Sequence, residues 1–549
     1  MTTVFDRGPY RLWCACCLVL AVVWVNAVRA HELRVSGARD RSGSIALAGL
    51  DAAGDIHAFL VATASAREVR FYLDDPAMTR APRRVERNAP YDFAGGSATS
   101  ALPFDTRRLA DGVHRITAQV VLPTGGVDVV DASFTVSNRR SNALDQVHLA
   151  WGPDPTTSMI VVWRTLDPLS ISAVRYRTPG SLIWHAAAGG PRPSGTEGTL
   201  HEVAINGLAP NTSYEYQVQG GDGLWSETFT LRTAPPAGAD WDAIFVADTG
   251  LIGRLDGLTT GTQQVIDEIA RLKPRMVLLG GDYAYFNTDK RYVTLDATID
   301  AWFNQMQPIA GHVPMMPVYG NHEVGLDENL PAWQARFPTP AGFDRRRSYS
   351  FDIGDVHFVA IFAISDRNGL RAGTQAWIEQ DIQAAYAAGA RWVIPYLHVA
   401  PFSDGRNHRS NLALRAEVGP LFERLHVPLV LTAHDQSYVR TYPLVDVPAS
   451  NTPTSLSRDC YTADDGVTWV KISPGGKMSS INGAFSRFET LTPPAYTAFR
   501  DNTQHHYARL RVFAAGALQL DTYGVKGDGS PGVVIDSFRY TTGTCEPPG

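Results

Sequence analysis

The sequence predicts a multidomain chain: two β-sandwich modules followed by an α/β layered domain built on a mixed β-sheet. Three observations predict it. Short alternating strands punctuated by turns run as far as residue 233. From about residue 240, apolar strands alternate with helical segments. Five of those apolar segments end on a residue type that binds metals. At 549 residues the chain exceeds one ordinary core, and length alone implies roughly three to four domains.

Residues 1–30 read as a secretory signal. Arg7 and Arg11 supply positive charge, residues 12–25 are apolar over a signal-peptide length, and Val28-Arg29-Ala30 offers a cleavage site, so that the mature chain would begin at His31. An uncleaved signal anchor is the alternative. No later stretch is long and apolar enough to span a bilayer, and the expected location is secreted or periplasmic. Cys14, Cys16 and Cys17 fall in the signal; Cys460 and Cys545 remain as a candidate disulfide, with two free thiols as the alternative. A hydrophobic content of 44% with 19% charged residues excludes wholesale disorder. The net charge is −6 without a basic block, so no nucleic-acid-binding surface is suggested. Acidity does not exclude phosphate substrates, because bound metals invert the local field.

Residues 43–137 form the first β module. Residues 69–73 alternate apolar and charged side chains ahead of the turn Asp74-Asp75-Pro76. Residues 114–122 alternate likewise, Thr124-Gly125-Gly126 turns, and Val127–Val136 returns. Short strands with regular turns indicate an immunoglobulin-like sandwich. The stretches around Ala89-Pro90-Tyr91 and Leu109-Ala110-Asp111-Gly112 resemble bacterial Ig-like modules, which makes this part a candidate for holding a surface or another protein. After the polar linker 138–145, residues 146–233 form the second β module, with strands expected at 159–164, 173–177, 214–218 and 225–232; it resembles a fibronectin type III domain. Ala234-Pro235-Pro236-Ala237-Gly238 is the next boundary.

The third domain spans 240–540. Helices are expected at Thr262–Leu272, 297–306, 374–388 and 411–425, a two-strand insertion at Ser348–Ile353 and 356–364, and closing strands at 468–472, 507–513 and 518–523. Its apolar strands at 243–246, Met276–Leu279, 314–319, Trp392–Leu397 and 428–431 run into Asp248, Asp282, Asn321, His398 and His434. In an α/β fold, ligands bind beyond the carboxyl ends of the strands. Two Asp, one Asn and two His converging there make an O/N-rich site for divalent or trivalent metals, and two metals sharing a carboxylate can clamp a phosphoryl group.

The motifs Asp248-Thr249-Gly250, Gly281-Asp282-Tyr283-Ala284-Tyr285, Gly320-Asn321-His322-Glu323, the strand into His398 and Ala433-His434-Asp435-Gln436 occur in this order. Together they resemble calcineurin-like metallophosphoesterases of the purple acid phosphatase branch. Gln146-Val147-His148-Leu149 resembles the start of that branch's N-terminal domain, so the resemblance covers about residues 146–540. It implies two metal ions. Asp248 would bind the first, Asp282 would bridge both through its two oxygens, and Asn321, His398 and His434 would complete the second. Tyr285, a phenol with an ordinary pKa near ~10, would bind as tyrosinate only to a highly charged metal. That points to Fe(III) beside a divalent Zn, Fe or Mn. Gly250 stands where related phosphoesterases outside this branch carry a His. Gln436 departs from the family pattern, which has a metal-binding His there; either its carbonyl oxygen serves as the ligand or the metal is left to a water. His322, oriented by Glu323, and His408, ten residues after His398, are implied as catalytic proton donors to the leaving group.

The implied activity is hydrolysis of a phosphate ester substrate, of the acid phosphatase type on monoesters, with a metal-bound hydroxide as nucleophile. A phosphodiesterase or nucleotide-directed hydrolase on the same site is one alternative. The other is a non-enzymatic surface-binding protein whose hydrolase domain is impaired at Gln436. The glycine-rich Ser473-Pro474-Gly475-Gly476-Lys477 lacks the full phosphate-loop pattern and reads as a turn near the site; His505-His506 reads as packing or as solvent-facing.

Overall fold

The computed structural model describes residues 31–545, apart from 64, 167–171, 194–197, 326–329, 364–368 and 482. The expected signal at 1–30, with its three cysteines, and the last residue of the strand expected at 356–364 lie outside the described residues.

Two compact units divide the chain at residues 138 and 139. In the first unit, two five-stranded sheets pack face to face. The expected hairpin is present as Gly112–Val121 paired with Val127–Val136. The first strand, His31–Ser36, pairs with Asp55–Ala62 and lies ahead of the 43–137 span read from sequence. Alternation explains the packing: Val69 and Phe71 are buried from one sheet, and the Phe71 ring meets Phe93 edge-on, centroids 5.8 Å apart.

The second unit begins with a seven-stranded all-antiparallel array, Leu144–Trp151 to Phe229–Arg232. Its His185–Pro193 strand pairs with Ser172–Arg177 through its first half and with Thr199–Asn206 through its second, which folds the array into two faces. Trp151, Trp163, Tyr216 and Phe229 fill the interior.

The following α/β part contains two mixed sheets rather than one. In the first, Met315–Pro317, Met276–Leu279 and Trp241–Val246 run parallel, and His505–Val512, Leu518–Val525 and Val533–Thr541 extend the sheet antiparallel. In the second, Val356–Ile361, Trp392–Leu397, Leu429–Thr432 and Thr468–Lys471 run parallel, flanked by Ser348–Ile353 on one side and Tyr438–Thr441 on the other. The period-2 geometry of a strand sets the layers. Ala243 and Phe245 join Ile394 and Tyr396 in the core between the sheets. Ile244 and Val246 pack outward with Val265, Ile269, Trp302 and Phe303 of helices Thr262–Leu272 and Leu295–Ala310. On the far side, Val393 and Leu397 meet Ile378, Ile382, Leu414 and Leu421 of helices Thr374–Ala387 and Leu412–Arg424. Asn411 caps the last helix, accepting from the Leu414 N–H at 2.8 Å. The result is a helix–sheet–sheet–helix sandwich whose parallel strands end on the same edge.

Candidate metal centre

The loops leaving these strands fold tightly over the edge. Asp248, Asp282, Tyr285 and His434 all adopt left-handed backbone, with φ of 53°, 54°, 55° and 81°. Four such non-glycine residues in one place mark a site held by its surroundings. Two glycines let the loops approach: a Cβ at Gly320 would fall 2.2 Å from Asp282 Oδ1, and one at Gly281 would fall 2.7 Å from His398 Nδ1.

Asp282, His398 and His434 come together, one ligand atom from each within 4.8 Å of the others. His398 Nδ1 sits 2.7 Å from the Gly280 carbonyl, to which it donates, so Nε2 faces inward, 3.2 Å from Asp282 Oδ2 and 3.1 Å from His434 Nδ1. Asn321 is half-buried, and its buried Oδ1 has no hydrogen-bond partner. The field is strongly negative. Burial works to lower the His398 pKa, but the Asp282 carboxylate outweighs it and pushes it up to about 10. Burial would raise Asp282, and His398 and His322 instead hold it well below the usual carboxylate range.

Asp248 and Tyr285 lie beside this cluster. The buried Tyr285 hydroxyl donates to Asp248 Oδ1 at 2.7 Å; burial and the Asp248 and Asp282 carboxylates push the phenol pKa well above its ordinary value. Gln436 is buried next to them, with Nε2 3.3 Å from Asp248 Oδ1 and 3.0 Å from the His434 carbonyl. His322 is half-buried against the Tyr285 ring at 4.3 Å, with Nε2 3.8 Å from Asp282 Oδ2; burial lowers its pKa. The His408 ring lies against that of His434, centroids 3.9 Å apart and planes tilted by 33°. All nine residues singled out from sequence therefore meet at one edge.

The role expected of Glu323 changes. Its buried carboxylate accepts the N–H groups of Gly320, Asp282 and Tyr283 at 2.9, 2.7 and 2.7 Å, bracing the Asp282 loop instead of His322. Burial and Asp282 raise its pKa to about 8. His322 Nδ1 is held by Asn287 Oδ1 at 2.5 Å.

Sequence reasoning missed three contributors. Ser473 Oγ donates to Asp248 Oδ2 at 2.8 Å. Lys477 lies with Nζ 4.3 Å over the Tyr285 ring; burial lowers its pKa to about 8. Asp435, pointing away from the cluster, accepts from Lys471 Nζ at 2.6 Å and from the His408 N–H at 3.1 Å. The glycine-rich turn holding Ser473 and Lys477 was the signal in the sequence. Buried His506 fixes that turn, with Nδ1 2.8 Å from the Ser473 carbonyl and its N–H 2.7 Å from the Pro474 carbonyl.

Comparison with known proteins agrees with this geometry. Residues 144–233 match the family model described as purple acid phosphatase, N-terminal domain, and residues 243–438 match that of the calcineurin-like phosphoesterases. Purple acid phosphatase 23 of Arabidopsis thaliana is 27% identical over 405 residues, covering 64% of this chain and 82% of the relative. Acid phosphatase type 7 of Homo sapiens is 27% identical over 432 residues, covering 71% and 89%. The solved structure of a purple acid phosphatase from yellow lupin (Lupinus luteus) seeds shares the fold, with a TM-score of 0.62 over 89% of this chain and 93% of that chain at 18% identity. Fold and site thus define a metallophosphoesterase. Within that class, the chain belongs to the purple acid phosphatase-like branch and is a phosphoric ester hydrolase, of a family that depends on two metals.

The two metal positions fit unequally. Asp282, His398, His434 and the unpartnered Asn321 Oδ1 suit a divalent ion. At the other position, the protein's own donors already engage both oxygens of Asp248, and Gln436 turns an N–H toward it.

Proposed function

We propose that this chain is an exported hydrolase of phosphoric monoesters that works at the position formed by Asp282, Asn321, His398 and His434. The observation that carries this reading is the convergence of three buried ligand residues, one Asp and two His, with an unpartnered, buried amide oxygen on the edge where the parallel strands end. A metal held there would supply Lewis acidity to the phosphoryl oxygens and would acidify the attacking water. The chain's own residues do the rest. His322, with Nε2 beside Asp282, and His408, with its imidazole against that of His434, would donate a proton to the leaving alkoxide. Asn287 fixes the His322 ring, and Asp435 fixes the His408 backbone. Glu323 holds Asp282 in its left-handed turn through three N–H bonds around it.

Export is supported by the signal-like composition of residues 1–30 and by the disulfide joining Cys460 and Cys545, a bond that persists in oxidising compartments. Among the described residues, no helix is long and apolar enough to cross a membrane.

The test is the rate of release from an aryl phosphate monoester and from the matching diester. We expect faster release from the monoester, and a loss of more than about a hundredfold in Asp282→Ala, beyond the cost of losing an outer hydrogen-bond partner. Undiminished hydrolysis in Asp282→Ala or in chelator would refute the site. Faster release from the diester would reassign the substrate.

A further inference from the structure

We propose that the position framed by Asp248, Tyr285 and Gln436 holds no Fe(III) and that the Lys477 ammonium supplies positive charge there, leaving one tightly bound metal per chain at Asp282, Asn321, His398 and His434. This inference rests on the phosphoesterase reading and alters only the metal count.

Four observations carry it. The first is the saturation of Asp248. Its Oδ1 accepts from Tyr285 Oη at 2.7 Å and Gln436 Nε2 at 3.3 Å, and its Oδ2 from Ser473 Oγ at 2.8 Å and the His434 N–H at 3.2 Å. A carboxylate has about four lone-pair sites, and the protein engages all of them.

The second is the orientation of Gln436. Its amide nitrogen touches two acceptors, the Asp248 carboxylate and the His434 carbonyl at 3.0 Å. Turning the amide over would place Oε1 against both and forfeit both bonds. This end of Gln436 is therefore a donor, where a metal ligand must be an acceptor.

The third is the placement of Tyr285. Its hydroxyl is bonded to Asp248 Oδ1 at 2.7 Å. Lys477 Nζ, 4.3 Å over the same ring, favours the electron-rich ring face by a cation–π contact and opposes a trivalent cation beside it.

The fourth is space. Gly250 has φ of +64°, and a Cβ there would fall 2.8 Å from Thr259 Cγ2 and 3.0 Å from Lys477 Cβ. The lysine stem thus fills the space beside Gly250 on that side of the position. It is tied there through its N–H to the Asp248 carbonyl at 3.0 Å and through Nζ to the Met478 carbonyl and Ser480 Oγ, both at 2.9 Å.

The experiment is elemental analysis with a visible absorption spectrum on the full chain, after incubation with Fe(III) and Zn(II) and removal of loose metal. The wild-type chain should retain one zinc and show no tyrosinate–iron band. The double variant Gln436→His with Lys477→Met should retain a second metal and gain a visible band that Tyr285→Phe removes. Two metals in the wild type, with a band lost in Tyr285→Phe, would overturn the inference; if Asp282→Ala still abolishes hydrolysis, the phosphoesterase reading survives that result. A single retained metal in both wild type and a folded double variant, as judged by an unchanged melting temperature, would overturn the assignment to Gln436 and Lys477. The wild-type measurement stands by itself if the double variant does not fold.

Discussion

Asp435 lies between two residues of the metal centre and turns its side chain the other way. Burial alone would raise its pKa; the Lys471 ammonium and the hydroxyls of Ser437 and Ser486 outweigh it and hold it below its ordinary value. Both members of the pair are fully buried. Removing one partner of such a pair strands the other charge. Lys471→Met should therefore lower unfolding stability by roughly 3 to 5 kcal/mol and loosen the His408 loop, read as an earlier urea midpoint; an unchanged midpoint would refute it. Adding Asp435→Asn should recover part of the loss. At this scale the ligand types were legible because each stands within a few residues of an apolar run. Asn321 illustrates this: the strand, the glycine and the amide can be read in line. Lys477 was not legible, because its meaning comes from the ring of Tyr285 below it.

Elements carry a second kind of information. His357, on the strand Val356–Ile361, reaches outward between Asp352 at 2.7 Å and Asp381 at 3.0 Å, the latter on helix Thr374–Ala387. Burial lowers its pKa, but the two carboxylates prevail and raise it from 6.5 to about 9. A folded-state pKa above the unfolded value stabilises the fold fully below pH 6.5 and ceases to do so as pH rises through 9. The wild type should thus be more stable than His357→Gln by about 2 kcal/mol near pH 6, with the difference shrinking toward zero above pH 9. Thermal melts of both proteins across that range would show it; a constant difference would contradict it. Helices were legible from periodicity, and Thr262–Leu272 has the span read from sequence. The strand expected at 225–232 shortens to Phe229–Arg232, since Trp225 is bridged to Gln219 in a separate turn. The motif Gln146-Val147-His148-Leu149 gains a physical reason. Gln146 Nε2 bonds Asp300 at 2.9 Å, His148 Nε2 lies 2.7 Å from the Arg336 carbonyl, and Leu149 bridges Pro314, joining the second β module to the α/β part.

Over the whole second unit, the last sheet edge is closed covalently. Strand Cys460–Thr462 pairs in parallel with Val533–Thr541, and the Cys460–Cys545 disulfide spans 85 residues beside it. Chain-entropy reasoning gives a cross-link of this length about 4.6 kcal/mol. Reduction, or Cys545→Ser, should lower the melting temperature markedly; an unchanged melting temperature would show that pairing alone holds the edge. The sequence by itself determined the order of modules, the mixed α/β character of the third domain and which candidate ligand side chains stand at the strand ends. Each of these is written locally, in a strand and the few residues after it. Only the tertiary structure decided that the α/β part has two facing sheets, that Glu323 serves the Asp282 loop, and that Ser473, 225 residues from Asp248, bonds its carboxylate beside Gln436, with Lys477 over the Tyr285 ring. Contacts at that separation leave no periodicity in the chain, because they are made by packing one strand edge against a turn from the far end of the domain.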